Sequence, residues 1–499
     1  MATRTRIRSW AAALAVILLL FFTGQALTEI PQSIQTPEKV KTRIGKLEFN
    51  DGFPSQETAR KVYENLDFMR GVEVFLNTCQ GASLAALHKG IRQAGAEDGQ
   101  VLLFENRIHP NTILLGANPE TVTALAWLDL RKGPMVLSSP PNTVGVLNDA
   151  WSRHVTDIGD FGPDKGKGGK YVILPPDYKA KPPAGYFTVR ARTHGVCLLI
   201  QGFPKNGKLK PVVQNFRKKM KIHELAKGGE ATKTRFVNGS GKTVNTVHAN
   251  DIGFYAEVNA IVQEEPPGSL DPELLGLLAA IGIKKGFPFN PDERMQRILE
   301  EAVAVGNATA RTIIFRPRDS EAWLYPGEST WAKYFIGDSH EFLRNGVRDL
   351  DARTLFHYGH NFITPVMAEK TVGKGWQRAV NSLDSEGNYL DGGKKYKLTL
   401  PPSVPVKGHW SVVAYDPQTR SMLQTSQAFP GVSSLPAPPM TAKDGSINIY
   451  FGPKAPKNKK KNWIKTIPGK GFWLILRLYQ PLEPWFDRTW RPGEIELLK

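Results

Sequence analysis

His409-Trp-Ser-Val-Val-Ala-Tyr-Asp-Pro417, Asp444-Gly-Ser-Ile-Asn-Ile-Tyr-Phe-Gly-Pro453 and Gly471-Phe-Trp-Leu-Ile-Leu-Arg-Leu-Tyr479 are short apolar-rich runs punctuated by Gly, Pro and Asp. Side chains of a strand point alternately to its two faces, so period-two patterning between turn formers predicts half-buried strands joined by tight turns. The block runs from Gly387 to Trp490, ends in a dense set of aromatics and contains no catalytic motif. It fixes the architecture of a C-terminal domain over residues 376–499.

Upstream, strand-like runs recur at residues 112–115, 122–130, 135–137, 171–174, 186–190 and 196–200, separated by loops rich in Pro and Gly. That spacing predicts a β-sandwich or barrel-like domain over roughly residues 90–205. Ser55-Gln-Glu-Thr58 suits a helix start, and residues 59–87 carry apolar residues at helical spacing. Residues 27–54 read as an exposed lead-in, residues 55–209 as an N-terminal helix plus β-sandwich, and residues 210–375 as a mainly helical connector. Within the connector, residues 214–226 show a basic helical pattern, and residues 270–305 a second one broken at Gly286-Phe-Pro288. Asp292 and Glu293 suit a first helical turn, while Gly306 and Asn307 read as an early stop. The fold class expected is mainly β, two β-sandwich domains with a helical connector.

A chain of 499 residues, 41% hydrophobic and 22% charged, has room for two or three domains with full cores. Arg4, Arg6 and Arg8 precede an apolar run over residues 10–22, and Gly24-Gln-Ala26 supplies small residues for cleavage. Residues 1–26 therefore read as a signal peptide, with an N-terminal membrane anchor as the alternative; the run is short of the roughly 20 residues a span needs. The expected location is the periplasm or cell envelope. The formal charge of +18 falls to +15 without those three arginines. A strongly basic exported protein points to anionic glycan or lipid headgroups as partners and argues against nucleic acid. Cys79 and Cys197 are the only cysteines, too few for a cysteine-rich metal site, and either one disulfide or two thiols fits them.

Two sets of residues resemble known families. Ala126-Trp-Leu-Asp-Leu130 with Gly133-Pro134, and Gly168-Gly-Lys-Tyr171 with Pro175-Pro176, resemble the exported domain-of-unknown-function family numbered 1254. Residues 383–392, Trp410-Ser-Val412, Asp444-Gly-Ser446, Asn462-Trp463 and Ile475-Leu-Arg-Leu-Tyr479 resemble its usual companion, numbered 1214. Gly282-Ile-Lys-Lys-Gly-Phe-Pro288 is similar to the pair's connector. The resemblance covers roughly residues 55–499 and implies an Ig-like sandwich, a small helical domain and a jelly-roll-like sandwich, with no established function. One run departs from the pattern: Gly116-Ala-Asn-Pro-Glu-Thr-Val122 stands where relatives commonly carry a Pro-Asn-x-Asp-Thr-like run. A site lined by that run in relatives lacks its Asp here.

Candidate chemistry is sparse. His357 and His360 share a helical face, and with His340, Asp338 or Glu341 they form the nearest thing to a divalent-metal site. Gly359 between them weakens the helix, and no His-Glu-x-x-His motif accompanies them. Asn238-Gly-Ser-Gly-Lys-Thr243 lacks the leading glycine of a phosphate loop and reads as a surface turn. Pro163-Asp-Lys-Gly-Lys-Gly-Gly-Lys170 is a glycine and lysine loop whose N–H groups suit an anion, and more often a plain connection. No Gly-x-Ser-x-Gly occurs. Asp384, Glu386 and Asp391 are placed to close turns, although such carboxylates also serve glycosidic acid/base chemistry. Lys459, Lys460 and Lys461, beside Trp463, form the one basic loop suited to an anionic polymer. Trp473, Tyr479, Trp485, Phe486 and Trp490 read chiefly as core, the last three also as a pocket rim or subunit contact. The sequence thus supports an exported binding or structural module for anionic envelope components, self-associating as a homo-oligomer. The alternative is a metal-assisted or acid/base enzyme working in the inter-domain cleft.

Overall fold

The computed structural model describes residues 30–228 and 233–499; the leader read over residues 1–26 lies outside them. Among the described residues no helix is long and apolar enough to cross a membrane. The chain divides into two compact units, Met1–Asp67 and Phe68–Lys499.

In the first unit the lead-in is exposed, as expected, but ordered into strands. Lys39–Thr42, Gly45–Asn50 and Phe53–Pro54 form a three-stranded antiparallel sheet with no buried residue. Ser55 then starts the helix Gln56–Gln93, its Oγ accepting the Thr58 N–H at 3.2 Å. First-turn N–H groups have no intrahelical partner, so a serine oxygen there is stabilising.

In the second unit two sheets make the first sandwich. A six-stranded sheet runs in the order Phe236–Asn238, Val101–Phe104, Val122–Asp129, Gly195–Gly202, Val144–Asp149, His154–Gly159. A four-stranded sheet runs Phe187–Arg190, Lys170–Leu174, Met135–Ser138, Lys221–Glu224. Val122, Ala124, Ala126 and Leu128 face the core between the sheets, together with Val196, Leu198 and Ile200. Their neighbours Leu125, Trp127 and Cys197 face a different core, shared with the long helix and the connector. Strands buried on both faces read as unbroken apolar runs, which is why residues 122–130 and 196–200 stand out in the sequence.

The connector contributes Gly253–Glu264, Pro272–Ala280, Glu293–Phe315 and Leu350–Gly359 as helices. Asp292, Asp271 and Asp349 accept first-turn N–H groups at 2.7, 2.9 and 2.9 Å, which sets three of those starts. Two expectations are corrected. The basic pattern at 214–226 is a helix, Lys210–Lys219, followed by the strand Lys221–Glu224, because Ile222 and His223 pair with Leu137 and Val136 in the four-stranded sheet. Gly306 and Asn307 do not stop the Glu293–Phe315 helix; Gly306 is small because it packs on Phe75.

The second sandwich also has two four-stranded sheets. One runs Trp376–Asn381, Trp473–Tyr479, Trp410–Tyr415, Gly431–Ser433, and the other Trp463–Lys465, Ile447–Gly452, Lys395–Leu400, Ile495–Leu498. Leu474, Leu476, Leu478, Val412 and Ala414 fill the space between them with Tyr396, Leu398 and Ile449. The molecule is therefore mainly β and sandwich-like in both halves, as its strand pattern predicts. Alternation sends Trp473, Ile475, Val413 and Tyr415 to the other face, where they join the core that holds the long helix and the first sandwich's Leu125 and Trp127. That shared face positions the site described next.

Candidate functional site

On the shared face, strand register places Arg378 directly opposite Arg477, and Trp376 opposite Tyr479. Directly opposed residues stand about 5 Å apart between Cα atoms, and like charges so placed destabilise the pair. Arg477 is buried; its Nη2 donates to the carbonyls of Gly116 at 2.9 Å and Ala117 at 3.0 Å, and its Nη1 has no partner within the protein. Arg378 keeps some accessible surface because it borders two cavities. Its burial, and next the Arg477 charge, pull its guanidinium down to about 10, so it remains a cation at neutral pH.

The first cavity has a volume of about 70 Å³, room for a small ligand. Leu125, Val144, Val146 and Leu199 of the six-stranded sheet give it an apolar wall, and Phe362, Val366 and Met367 of the connector another. Arg378 and Arg477 supply its positive side, with Gly116, Ala117 and Asn118 beside them. Gly116 has φ +56, and a Cβ there would stand 3.0 Å from His360 Cδ2 and 3.2 Å from the Gly359 carbonyl, so the position needs glycine. Asn118 accepts from Tyr479 Oη at 2.9 Å and from the Glu120 N–H at 3.1 Å through its Oδ1. Asn361 is buried on the cavity wall, and neither its Oδ1 nor its Nδ2 has a partner within the protein.

Two carboxylates lie nearby, and one oxygen is open: Glu120 Oε2 is buried with no hydrogen-bond partner, and the Glu120 charge helps hold Arg477 a cation. Asp157, on the cavity wall, accepts the Thr364 hydroxyl at 2.5 Å and stands 3.3 Å from His154 Nε2. Glu120 is buried against Ser433, whose hydroxyl donates to it, with His409 Nε2 at 3.8 Å. The His409 ring stacks on Tyr479, centroids 3.9 Å apart, and its imidazole is held below the usual range by burial. Two guanidinium groups, an amide with open donors and acceptors, and apolar walls can hold an anionic group attached to a small apolar body.

The histidines read as metal ligands are placed apart. His357 lies among Phe342 and Phe356 with Nδ1 unpartnered, and burial, then Arg353, holds it at about 3. His360 caps the same helix and lines the cavity; Nδ1 stands 3.0 Å from the Phe362 carbonyl, which places the proton there and leaves Nε2 an acceptor. Burial, then Arg378, keeps His360 neutral. His340 packs edge-on against His154 at 5.6 Å instead, and Asp338 pairs with Lys370 at 3.0 Å. Among the described residues no group of three or more His, Cys, Asp or Glu is arranged to hold a metal ion. Gly359 is the last residue of the helix, and Tyr334 lies against it, leaving no room for a side chain.

The other candidates are turns and surfaces. Lys460–Asn462 is a short turn pinned by Asn462, which donates to Met440 and Asn448 carbonyls at 2.7 and 2.9 Å, with Lys460 and Lys461 exposed and Lys459 half-buried. The indole N–H of Trp463 donates to the Gly452 carbonyl at 2.9 Å. Asp384 accepts the Glu386 and Asn388 N–H groups at 3.0 and 2.9 Å, and Asp391 that of Gly393 at 2.8 Å, so both close turns. Asn238 Oδ1 closes the Ser240 turn at 2.9 Å. Within the glycine and lysine loop, Asp164 is buried and accepts from Tyr171 Oη, Ser139 Oγ and the Gly159 N–H at 2.7, 2.9 and 2.8 Å. Cys79 and Cys197 are both buried and free.

Arg378, Arg477, Asn118 and Asn361 escaped the sequence reading. A signal for Arg477 was present, a lone charge in the apolar strand Trp-Leu-Ile-Leu-Arg-Leu-Tyr, since buried charges are rare unless they are paired.

Fold and cavity define a class: two sandwich-like β-domains meeting across a helical layer, with an arginine-lined pocket between them. Residues 99–224 match the model of Protein of unknown function (DUF1254), and residues 377–483 that of Protein of unknown function (DUF1214). The chain thus carries the family pair its motifs resemble. Arg378 and Arg477 fall in the second segment, Gly116 and Asn118 in the first, and His360 and Asn361 between them. A crystal structure of a Vibrio parahaemolyticus protein is similar over 87% of this chain and 100% of its own, at 18% identity and a TM-score of 0.52, a likeness of fold. An uncharacterised Burkholderia cenocepacia protein aligns over 89% of this chain and 97% of its own, at 14% identity and a TM-score of 0.38. No curated protein matches the chain.

Proposed function

We propose that the chain is an exported binding module whose ligand is a small organic monocarboxylate, held in the cavity between the two sandwiches. The observation that carries this reading is the opposed pair Arg378 and Arg477, with Arg477 Nη1 lacking a partner and, among the described residues, no carboxylate hydrogen-bonded to either guanidinium. Two cations placed face to face in a buried site raise the energy of the empty fold. A carboxylate between them would relieve the repulsion and accept charge-assisted hydrogen bonds, while its apolar body would lie on Leu125, Val146 and Leu199. Among the described residues neither a serine nor a cysteine lines the cavity, its Thr123 and Thr364 hydroxyls are hydrogen-bonded to Thr121 and Asp157, and its histidine is neutral with Nδ1 committed, which favours holding a ligand over covalent chemistry.

The test is a thermal-shift and calorimetric panel of acetate, butyrate, hexanoate and benzoate against neutral alcohols of equal size. At 100 times Kd a ligand adds about 2.7 kcal/mol of stability, so binding would show as a clear rise in Tm. Wild type should respond to at least one carboxylate and to no alcohol, and Arg378→Gln should lose the response. The proposal fails if no carboxylate shifts wild type, or if Arg378→Gln responds equally.

A further inference from the structure

Behind the first cavity lies a second, with Met367, Trp376 and Arg378 forming the partition common to both. Its volume is about 180 Å³. Its chemistry is different. Lys333, Arg378 and Arg488 line it, and among the described residues no carboxylate is within ion-pair distance of these three. The carboxylate present, Asp338, pairs with the exposed Lys370 at 3.0 Å, and its charge also reaches Lys333. Trp376, Trp485, Phe486 and Tyr325 give the same pocket aromatic walls. Gln377 offers an amide, and the Tyr334 ring adds to the wall, its hydroxyl lying against Gly359.

Cations with no carboxylate in direct ion pair, flat aromatic surfaces and an uncommitted amide together match one ligand chemistry. A hexuronic acid carries a single carboxylate, a ring of hydroxyls and an apolar C–H face that packs on aromatic rings. We infer that this second cavity binds a hexuronic acid residue, its carboxylate at Lys333 and Arg488 and its ring face against Trp376 and Phe486. The inference stands apart from the monocarboxylate reading of the first cavity, since its carboxylate contacts are Lys333 and Arg488, and only the partition Met367, Trp376 and Arg378 is shared. A plain aliphatic carboxylate would leave Gln377 unmatched, and a neutral sugar would leave the cations unmatched.

Isothermal titration of the full chain would use glucuronic and galacturonic acids, free and as short oligomers, with glucose and benzoate as controls. Uronate binding should weaken as salt rises, and Arg488→Gln or Lys333→Gln should each weaken it on the order of tenfold. Arg488 is exposed, so its variant should fold normally. Binding of the free acids means that a single sugar residue suffices; binding of the oligomers alone assigns the site to the end of an acidic glycan. The inference is overturned if neither form binds, if glucose binds equally well, if both variants bind like wild type, or if benzoate replaces the uronates with the same dependence on Lys333 and Arg488. A monocarboxylate response kept intact in Arg488→Gln would show that failure here leaves the first cavity's reading untouched.

Discussion

His357 illustrates what burial does to one side chain. Its ring sits among Phe342 and Phe356, with the Arg353 cation nearby, and is held at about 3 against an ordinary 6.5. Burial comes first because charging an imidazole there removes it from water with no anion in return. The depressed value fixes the sign. The unfolded chain takes up this proton near pH 6.5 and the native chain only near 3, so stability is full above 6.5 and is lost as pH falls through that window. At pH 5 the loss from this one residue amounts to about 2 kcal/mol. His248, also at about 3, and His360 act in the same direction. Urea denaturation at pH 7, 6 and 5 should show a steadily falling midpoint for wild type and a shallower fall for His357→Gln. Equal slopes in the two proteins would mean that His357 is charged in the native state.

Helix and strand boundaries were legible where a residue had one dominant task. Ser55 as an acceptor for the first turn, Asp292 at the next long helix, and the apolar runs at 122–130 and 196–200 all declare themselves. Elements set by packing did not. Residues 221–224 carry the charge pattern of the helix before them and become a strand only because Val136 and Leu137 present an open ladder edge. Val144–Asp149 contains Gly145, an apparent breaker, which is glycine because a Cβ would meet the Leu199 carbonyl at 2.6 Å. Gly306 misleads in the same way and gives a test of the argument. Glycine costs a helix interior about 1 kcal/mol relative to alanine, so propensity alone favours Gly306→Ala. A Cβ there would lie 2.8 Å from Phe75 Cγ and 2.9 Å from its Cβ, atoms near the backbone that cannot swing away. Overpacking of a core typically costs about 1–3 kcal/mol, so the clash should win and Gly306→Ala should be less stable by about 1 kcal/mol. A higher urea midpoint in the variant would show that helix propensity decides instead.

At the scale of the molecule, the site is a product of register and domain apposition, and that explains its absence from the sequence reading. Arg378 and Arg477 are far apart in the chain and meet only because their strands pair antiparallel at that offset. The Gly116 and Ala117 carbonyls that orient Arg477 come from the other sandwich. The run at 116–122, noted for departing from the family pattern, lines the candidate cavity; its Gly116 and Ala117 carbonyls accept from Arg477, and the Asn118 side chain accepts from Tyr479. Whether those arginines hold the fold or hold a ligand is decided by what happens when one is removed. A structural arginine replaced by an apolar chain leaves its acceptors unpaired and destabilises the protein by several kcal/mol. Arg378 has no carboxylate partner, and its closest charge is another cation. Arg378→Met relieves that repulsion and the desolvation of a charge, at similar volume, so it should raise the unfolding free energy by about 1 kcal/mol at low salt. The same variant should bind neither monocarboxylate nor any anion that relies on the shared partition. Gain of stability with loss of binding is the combination expected where function is kept at the expense of the empty fold. Loss of stability by 2 kcal/mol or more, measured by urea denaturation, would reassign Arg378 to architecture and remove the main support for an anion between the two sandwiches.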